Sequence, residues 1–99
     1  MLLNRENIIK VLQNEKLVLQ NDFGIKSIAL FGSYAKNKQN ETSDIDFLIE
    51  QKEVSYTNLI KALVFIEKKF PGKTVQLTRK GPHLSQKFLN TISNDLIYV

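Results

Sequence analysis

The strongest constraint on this chain is a hydrophobic period that switches repeatedly between that of a helix and that of a strand. From Asn4 to about Gln20, apolar residues recur at Ile8, Val11, Leu12 and Leu19, with Asn4 placed as N-cap and Glu6 in the first turn, which predicts one amphipathic helix. Asn21-Asp22-Phe23-Gly24 stops it, and Lys26 to Phe31 reads as a short, mostly apolar strand. Gly32 ends that strand. Ser33 to about Asn37 can form a helical turn, and Lys38 to Thr42 is polar enough for a surface loop. Ile45, Phe47 and Ile49 then alternate with Asp44, Asp46 and Leu48, the period of a strand that places both aspartates on one face. Ser55 caps a helix carrying Leu59, Ile60, Leu63, Ile66 and Phe70, and Pro71-Gly72 breaks it. Lys73 to Leu77 alternates as a strand, Gly81-Pro82 opens a helix from about His83 to Ser93, and Leu96 to Val99 is a terminal strand.

Strands alternating with helices imply an α/β (α+β) layer structure: a small mixed sheet of about four strands with helices packed on it. The helix between the second and third strands acts as a crossover that brings those strands side by side. With 99 residues and no linker, repeat or low-complexity segment, residues 1–99 are expected to form one domain.

Composition narrows the chemistry. There is no cysteine and only one histidine, His83, so thiolate zinc sites, disulfides and thiol nucleophiles are excluded, and no Ser-His-Asp triad has a plausible context. Metal chemistry must rest on carboxylates. No stretch approaches the roughly 20 apolar residues of a membrane span, and the start of the chain lacks the pattern of a secretory signal, so a cytoplasmic location is expected. The net charge of +4 favours anionic partners, but the basic residues are scattered without aromatic interleaving, so nucleic acid is not an expected partner.

Two short segments carry chemical information. Gly32 and Ser33 follow a strand and open a helical turn, an order in which unpaired backbone N–H groups and a hydroxyl can meet phosphate. Gly-Ser is also an ordinary turn and helix cap. Asp44-Ile45-Asp46 places two carboxylates on one side of a strand with Cα atoms roughly 6.5 to 7 Å apart, suited to hard divalent ions that keep water and phosphate ligands. An isolated Asp-x-Asp is more often a turn cap followed by a solvated strand residue. The apolar run Phe47-Leu48-Ile49 argues against that, since it places Asp46 at a sheet end near the core, where an unpaired carboxylate is costly.

Gly32-Ser33-Tyr34-Ala35-Lys36, ten residues between Ser33 and Asp44, and then Ser43-Asp44-Ile45-Asp46-Phe47-Leu48-Ile49 resemble the signature of the polymerase-beta-like nucleotidyltransferases. More narrowly, they are similar to the minimal nucleotidyltransferase domains, small proteins often paired with a HEPN-domain toxin. The resemblance implies transfer of a nucleoside monophosphate, AMP by family habit, from a nucleoside triphosphate such as ATP to a hydroxyl, with a HEPN-type toxin as acceptor and this chain as its antitoxin. It further implies Asp44 and Asp46 as catalytic metal ligands for Mg2+, with Mn2+ as an alternative. Gly32, Ser33, Lys36 and Ser43 would be the nucleotide-binding residues.

The chain departs from that pattern twice. Asn37 stands where the family usually has glycine, and asparagine tolerates left-handed geometry better than most residues. The family's third carboxylate, in a run like Val-Asp-Leu, corresponds to Val75-Gln76-Leu77, so a neutral amide takes its place. Nucleotide binding without fast transfer, in a module that neutralises its partner by covering it, is therefore the alternative reading. Glu50 shares the face of Asp46 but lies about 13 Å along the strand, too far to share an ion. Tyr34 is read as a core, rim or nucleotide-stacking residue, while Arg79, Lys80 and His83 read as solvated positions at element ends.

Overall fold

The computed structural model describes residues 3–99. Its elements are α1 (Arg5–Asn14), α2 (Lys16–Phe23), β1 (Ile25–Phe31), α3 (Gly32–Ala35), β2 (Ile45–Gln51), α4 (Tyr56–Glu67), β3 (Val75–Arg79), α5 (Gln86–Ile92) and β4 (Ile97–Tyr98). The four strands form one sheet in the order β3-β2-β1-β4. β1 runs antiparallel to both β2 and β4, whereas β2 and β3 are parallel and joined through α4, as the crossover argument requires.

Two helix predictions change in detail. The expected single N-terminal helix is two, because Glu15 leaves helical geometry at φ −101°, ψ 4°. Lys69, just past α4, anchors that bend with its Nζ 3.2 Å from Glu15 Oε1. Beyond it α2 leans on α4, where the Phe23 and Phe65 rings meet at 5.1 Å between centroids. The C-terminal helix begins at Gln86 rather than near His83. Its cap is Ser85, whose Oγ accepts from the Phe88 amide at 3.0 Å and satisfies a donor that a proline-led start would leave open. Asn4 and Ser55 cap α1 and α4 as expected, accepting from Asn7 and Asn58.

Strand alternation assigns the two sheet faces different tasks. Ile28 and Leu30 of β1, Ile45, Phe47 and Ile49 of β2 and Val75 of β3 point into the main core, where Ile8, Leu12, Leu19, Ala62 and Ile66 meet them from α1, α2 and α4. Ile8, Phe47, Ile45 and Ile49 are fully buried. The opposite face has a smaller apolar patch, Phe31 and Leu48, on which α5 lays Phe88 and Ile92. Phe31 and Phe88 meet edge to face at 6.0 Å, a favoured aromatic geometry. No helix among the described residues is long and apolar enough to cross a membrane.

Candidate active site

Antiparallel pairing of Phe31 with Asp46 sets the end of β1 beside the start of β2, so the residue after Phe31 lies against the Asp46 side chain. That residue is Gly32, with φ +78°, a conformation L side chains rarely adopt. A Cβ there would come within 3.2 Å of Asp46 Cγ and 3.3 Å of its Cβ, and would collide with Oδ2. Glycine is therefore required by backbone angle and by close approach together. After Gly32 the chain makes one helical turn that ends in a Schellman motif: Asn37 at φ 61°, with the Asn37 amide donating to Tyr34 O at 3.2 Å and the Lys38 amide to Ser33 O at 2.9 Å. Asparagine thus fills the left-handed position where the family's glycine was expected. Arg5 reaches from α1 to donate to the Ala35 carbonyl at 3.1 Å, which fixes the far end of this short helix.

Asp44 does not lie within the strand as the alternation suggested. β2 begins at Ile45, and Asp44 is on the extended segment leading into it, because the Ile45 amide already bonds Thr74 O at 2.9 Å and pairing starts there. The parallel register sets Asp46 opposite Gln76, and the Gln76 Nε2 donates to Asp44 Oδ2 at 3.0 Å. Gln76 therefore touches one of the two acids directly. Asp46 is half-buried, and its carboxyl pKa is raised, first by burial and then by the negative charge of Asp44.

Other singled-out residues fall differently. Ser43 Oγ accepts from the Asn40 amide at 2.9 Å, so in this structure its hydroxyl closes the turn that leads into Asp44. Lys73 donates to the Glu41 carbonyl at 3.0 Å and ties the same loop to the approach of β3. Lys36 faces Asp95, Nζ to Oδ2 3.7 Å, an exposed pair that leaves it on the β4 side. Tyr34 is 1% exposed and belongs to the main core, which removes it as a stacking platform. Glu50 pairs loosely with Lys26 at 3.9 Å, away from the acids.

The acids sit on an open face rather than in a deep cavity. A groove of about 500 Å3, lined by Leu3, Tyr34, Gln39, Phe70 and Lys73 among others, lies at the helix side and includes neither Asp44 nor Asp46. Two neighbouring carboxylates, the charge of Asp44 adding to the cost of charge on the partly buried Asp46, present hard oxygens of the kind divalent ions take along with water and phosphate. A divalent ion would offset both the burial and the Asp44 charge that raise the Asp46 pKa, so these residues fit one. Among the described residues no group of three or more Asp, Glu, His or Cys gathers to form a larger ligand set.

This combination, a strand followed by a crowded glycine and a short helix beside an Asp-x-Asp strand, places the molecule among the nucleotidyl-transferring folds. The chain belongs to the nucleotidyltransferase domain family, whose model matches residues 8–98. A putative protein adenylyltransferase of Methanocaldococcus jannaschii is 39% identical over 94 residues, covering 93% of this chain and 94% of that protein. The protein adenylyltransferase MntA of Thermococcus cleftensis is 30% identical over 99 residues, covering 99% of this chain and 98% of its own length. The fold is shared with the crystal structure of the toxin–antitoxin pair MntA–HpeT, with TM-score 0.65 and 20% identity over 97% of this chain and 72% of that one. It is shared too with the structure of a tri-AMPylated Shewanella oneidensis HEPN toxin in complex with MNT antitoxin, with TM-score 0.60 and 16% identity over 90% of this chain and 69% of that one.

Proposed function

We propose that this nucleotidyltransferase binds a nucleoside triphosphate, ATP, with Mg2+ and transfers AMP to a hydroxyl of a HEPN-type toxin, which it thereby neutralises. The observation that carries the reading is the contact of Gly32 with the Asp46 side chain, because it holds a phosphate-accessible backbone against a carboxylate on the open sheet face. The near full-length similarity to proteins named adenylyltransferases supports the choice of AMP. One domain spanning residues 1–99 carries the whole site, and a cytoplasmic location accords with a nucleotide substrate.

In this reading Gly32 and Ser33 offer backbone N–H groups and a hydroxyl to the triphosphate, and Asp44 with Asp46 hold the cation. The bound ion supplies charge neutralisation for the phosphates and for the departing pyrophosphate. The acceptor oxygen forms its bond to the α-phosphorus as the α–β phosphoanhydride bond breaks, pyrophosphate leaves, and the hydroxyl proton passes to water. Lys36 reaches phosphate only by leaving Asp95, an exposed pair that costs little to open. Ser43 serves nucleotide binding through the loop it closes ahead of Asp44.

With Mg2+, α-labelled ATP and the protein encoded beside this one, label is expected on that protein, and Asp46→Asn is expected to lower labelling at least about 100-fold. Absence of labelling with any nucleotide sinks the enzymatic reading. The second reading, a non-catalytic module that neutralises by covering its partner, is favoured by one observation, the amide of Gln76 where the family carries an acid. The double variant Asp44→Asn with Asp46→Asn separates them: neutralisation is lost in an enzyme and survives in a module.

A further inference from the structure

We propose that Gln76 is a positioning residue that makes this a one-ion site: its amide orients Asp44 for the cation that accompanies the nucleotide and denies a second cation its ligand. The inference rests on the reading above and concerns how the same site is loaded.

Gln76 lies opposite Asp46 in the parallel register, is exposed on the open face, and donates from Nε2 to Asp44 Oδ2 at 3.0 Å. The orientation of the amide follows from chemistry, since turning Oε1 toward a carboxylate would set two acceptors against each other. One lone pair of Oδ2 is thereby engaged, and the Asp44 side chain is held by a group that carries no charge. The remaining oxygens of Asp44 and Asp46 bring at most two negative charges, the complement of one divalent cation. No third acid joins them among the described residues. A second divalent ion would face the first across a few ångströms with no added anionic protein ligand to offset their mutual repulsion. An acid at position 76 would reverse both conditions, adding a charge and removing the donor from Asp44.

Gln76 thus holds Asp44 in place at the site. A side chain that hydrogen-bonds a metal-binding carboxylate fixes its orientation, and loss of such a partner commonly weakens metal affinity by 10–100-fold.

The test counts Mn2+ bound per chain by equilibrium dialysis and electron paramagnetic resonance, with α,β-methylene-ATP as the non-reacting nucleotide. Wild type is expected to bind one Mn2+ per nucleotide-loaded chain, with the signal of an isolated ion. Gln76→Asp is expected to bind two and to show the exchange-coupled signal of a neighbouring pair. Gln76→Leu, which cannot donate, is expected to keep one ion with affinity weakened about tenfold. Because position 76 is exposed, both variants are expected to fold, and circular dichroism checks that each has. Two ions in wild type, or a single ion in folded Gln76→Asp, overturns the proposal. Unchanged affinity in Gln76→Leu overturns its positioning half. If wild type binds the nucleotide analogue and two ions, the one-ion inference alone fails. If it binds neither nucleotide nor Mn2+, the nucleotide-site reading under it fails as well.

Discussion

The two faces of the sheet are held by different means. On the helix-covered face, Ile45, Phe47 and Ile49 are sealed under α1, α2 and α4, and nothing polar is asked of them. On the other face, Leu48 alone of the intervening β2 residues is sealed, by α5, while Asp46 beside it is left half-buried with a raised pKa. The tightly packed core lies on one side of a single strand and the candidate site on the other, and alternating residues keep the two separate. What the contrast teaches is that damage to one face should leave a different signature from damage to the other.

The largest expected effect lies on the sealed face. Phe47→Ala removes a fully buried ring and should cost about 3–5 kcal/mol, a large share of the roughly 5–15 kcal/mol that holds a domain of this size. Urea denaturation should show a folded fraction sharply reduced or absent, and a midpoint close to wild type would break the comparison. Next comes the junction of the two faces. Gly32→Ala combines a strained φ with a Cβ driven against Asp46, so transfer should fall about 100-fold while the domain loses only about 1–2 kcal/mol. An initial-rate assay beside a thermal melt reads both, and a proportionate loss of each would merge what the faces are said to keep apart. Phe88→Ala, on the lightly covered patch, should cost about 1–2 kcal/mol because its ring is only partly buried against Phe31. That corresponds to a Tm lower by several degrees.

The smallest effect runs in the unusual direction. In the folded chain Asp46 binds its proton more tightly than in the unfolded chain, so its contribution to stability is present at acid pH and is lost as pH rises through the raised pKa. Without metal at neutral pH, Asp46→Asn should therefore raise Tm, by only about 2 °C because solvent partly screens this half-buried group. The gain should vanish as pH falls toward the ordinary carboxylate range. A lower Tm for the variant would contradict the electrostatic cost assigned to the open face. Added Mg2+ should reverse the ranking, since only the wild type gains stability from the ion.

Much of this was legible from residue order, because local rules decide it. The period of Ile45-Phe47-Ile49, the caps at Asn4 and Ser55, and the left-handed tolerance of Asn37 each depend on near neighbours in the chain. The N-terminal segment reads as a single helix because its apolar spacing continues through Glu15, whereas the bend there is tied to Lys69, 54 positions later. From residue order Gly81-Pro82 opens the last helix near His83, whereas in the fold Ser85 supplies the cap and the helix starts at Gln86. The pairing of Lys36 with Asp95 is not legible from its motif, since Asp95 arrives only when β4 closes the sheet edge. The bond from Gln76 to Asp44 was hidden for a similar reason. Alternation said which way Gln76 would face, but only the parallel register with β2 says which acid it meets.

The pairing of Phe31 with Asp46 bears on what a preparation of this protein can contain. Strands shift by whole residues, and a slip of one would turn every β2 side chain to the wrong face, exposing Phe47 and burying Asp46. Folded molecules with a misassembled site are thus excluded by the same step that closes the core. Variation in specific activity between samples should then report how many molecules are folded, rather than how well each folded one was built.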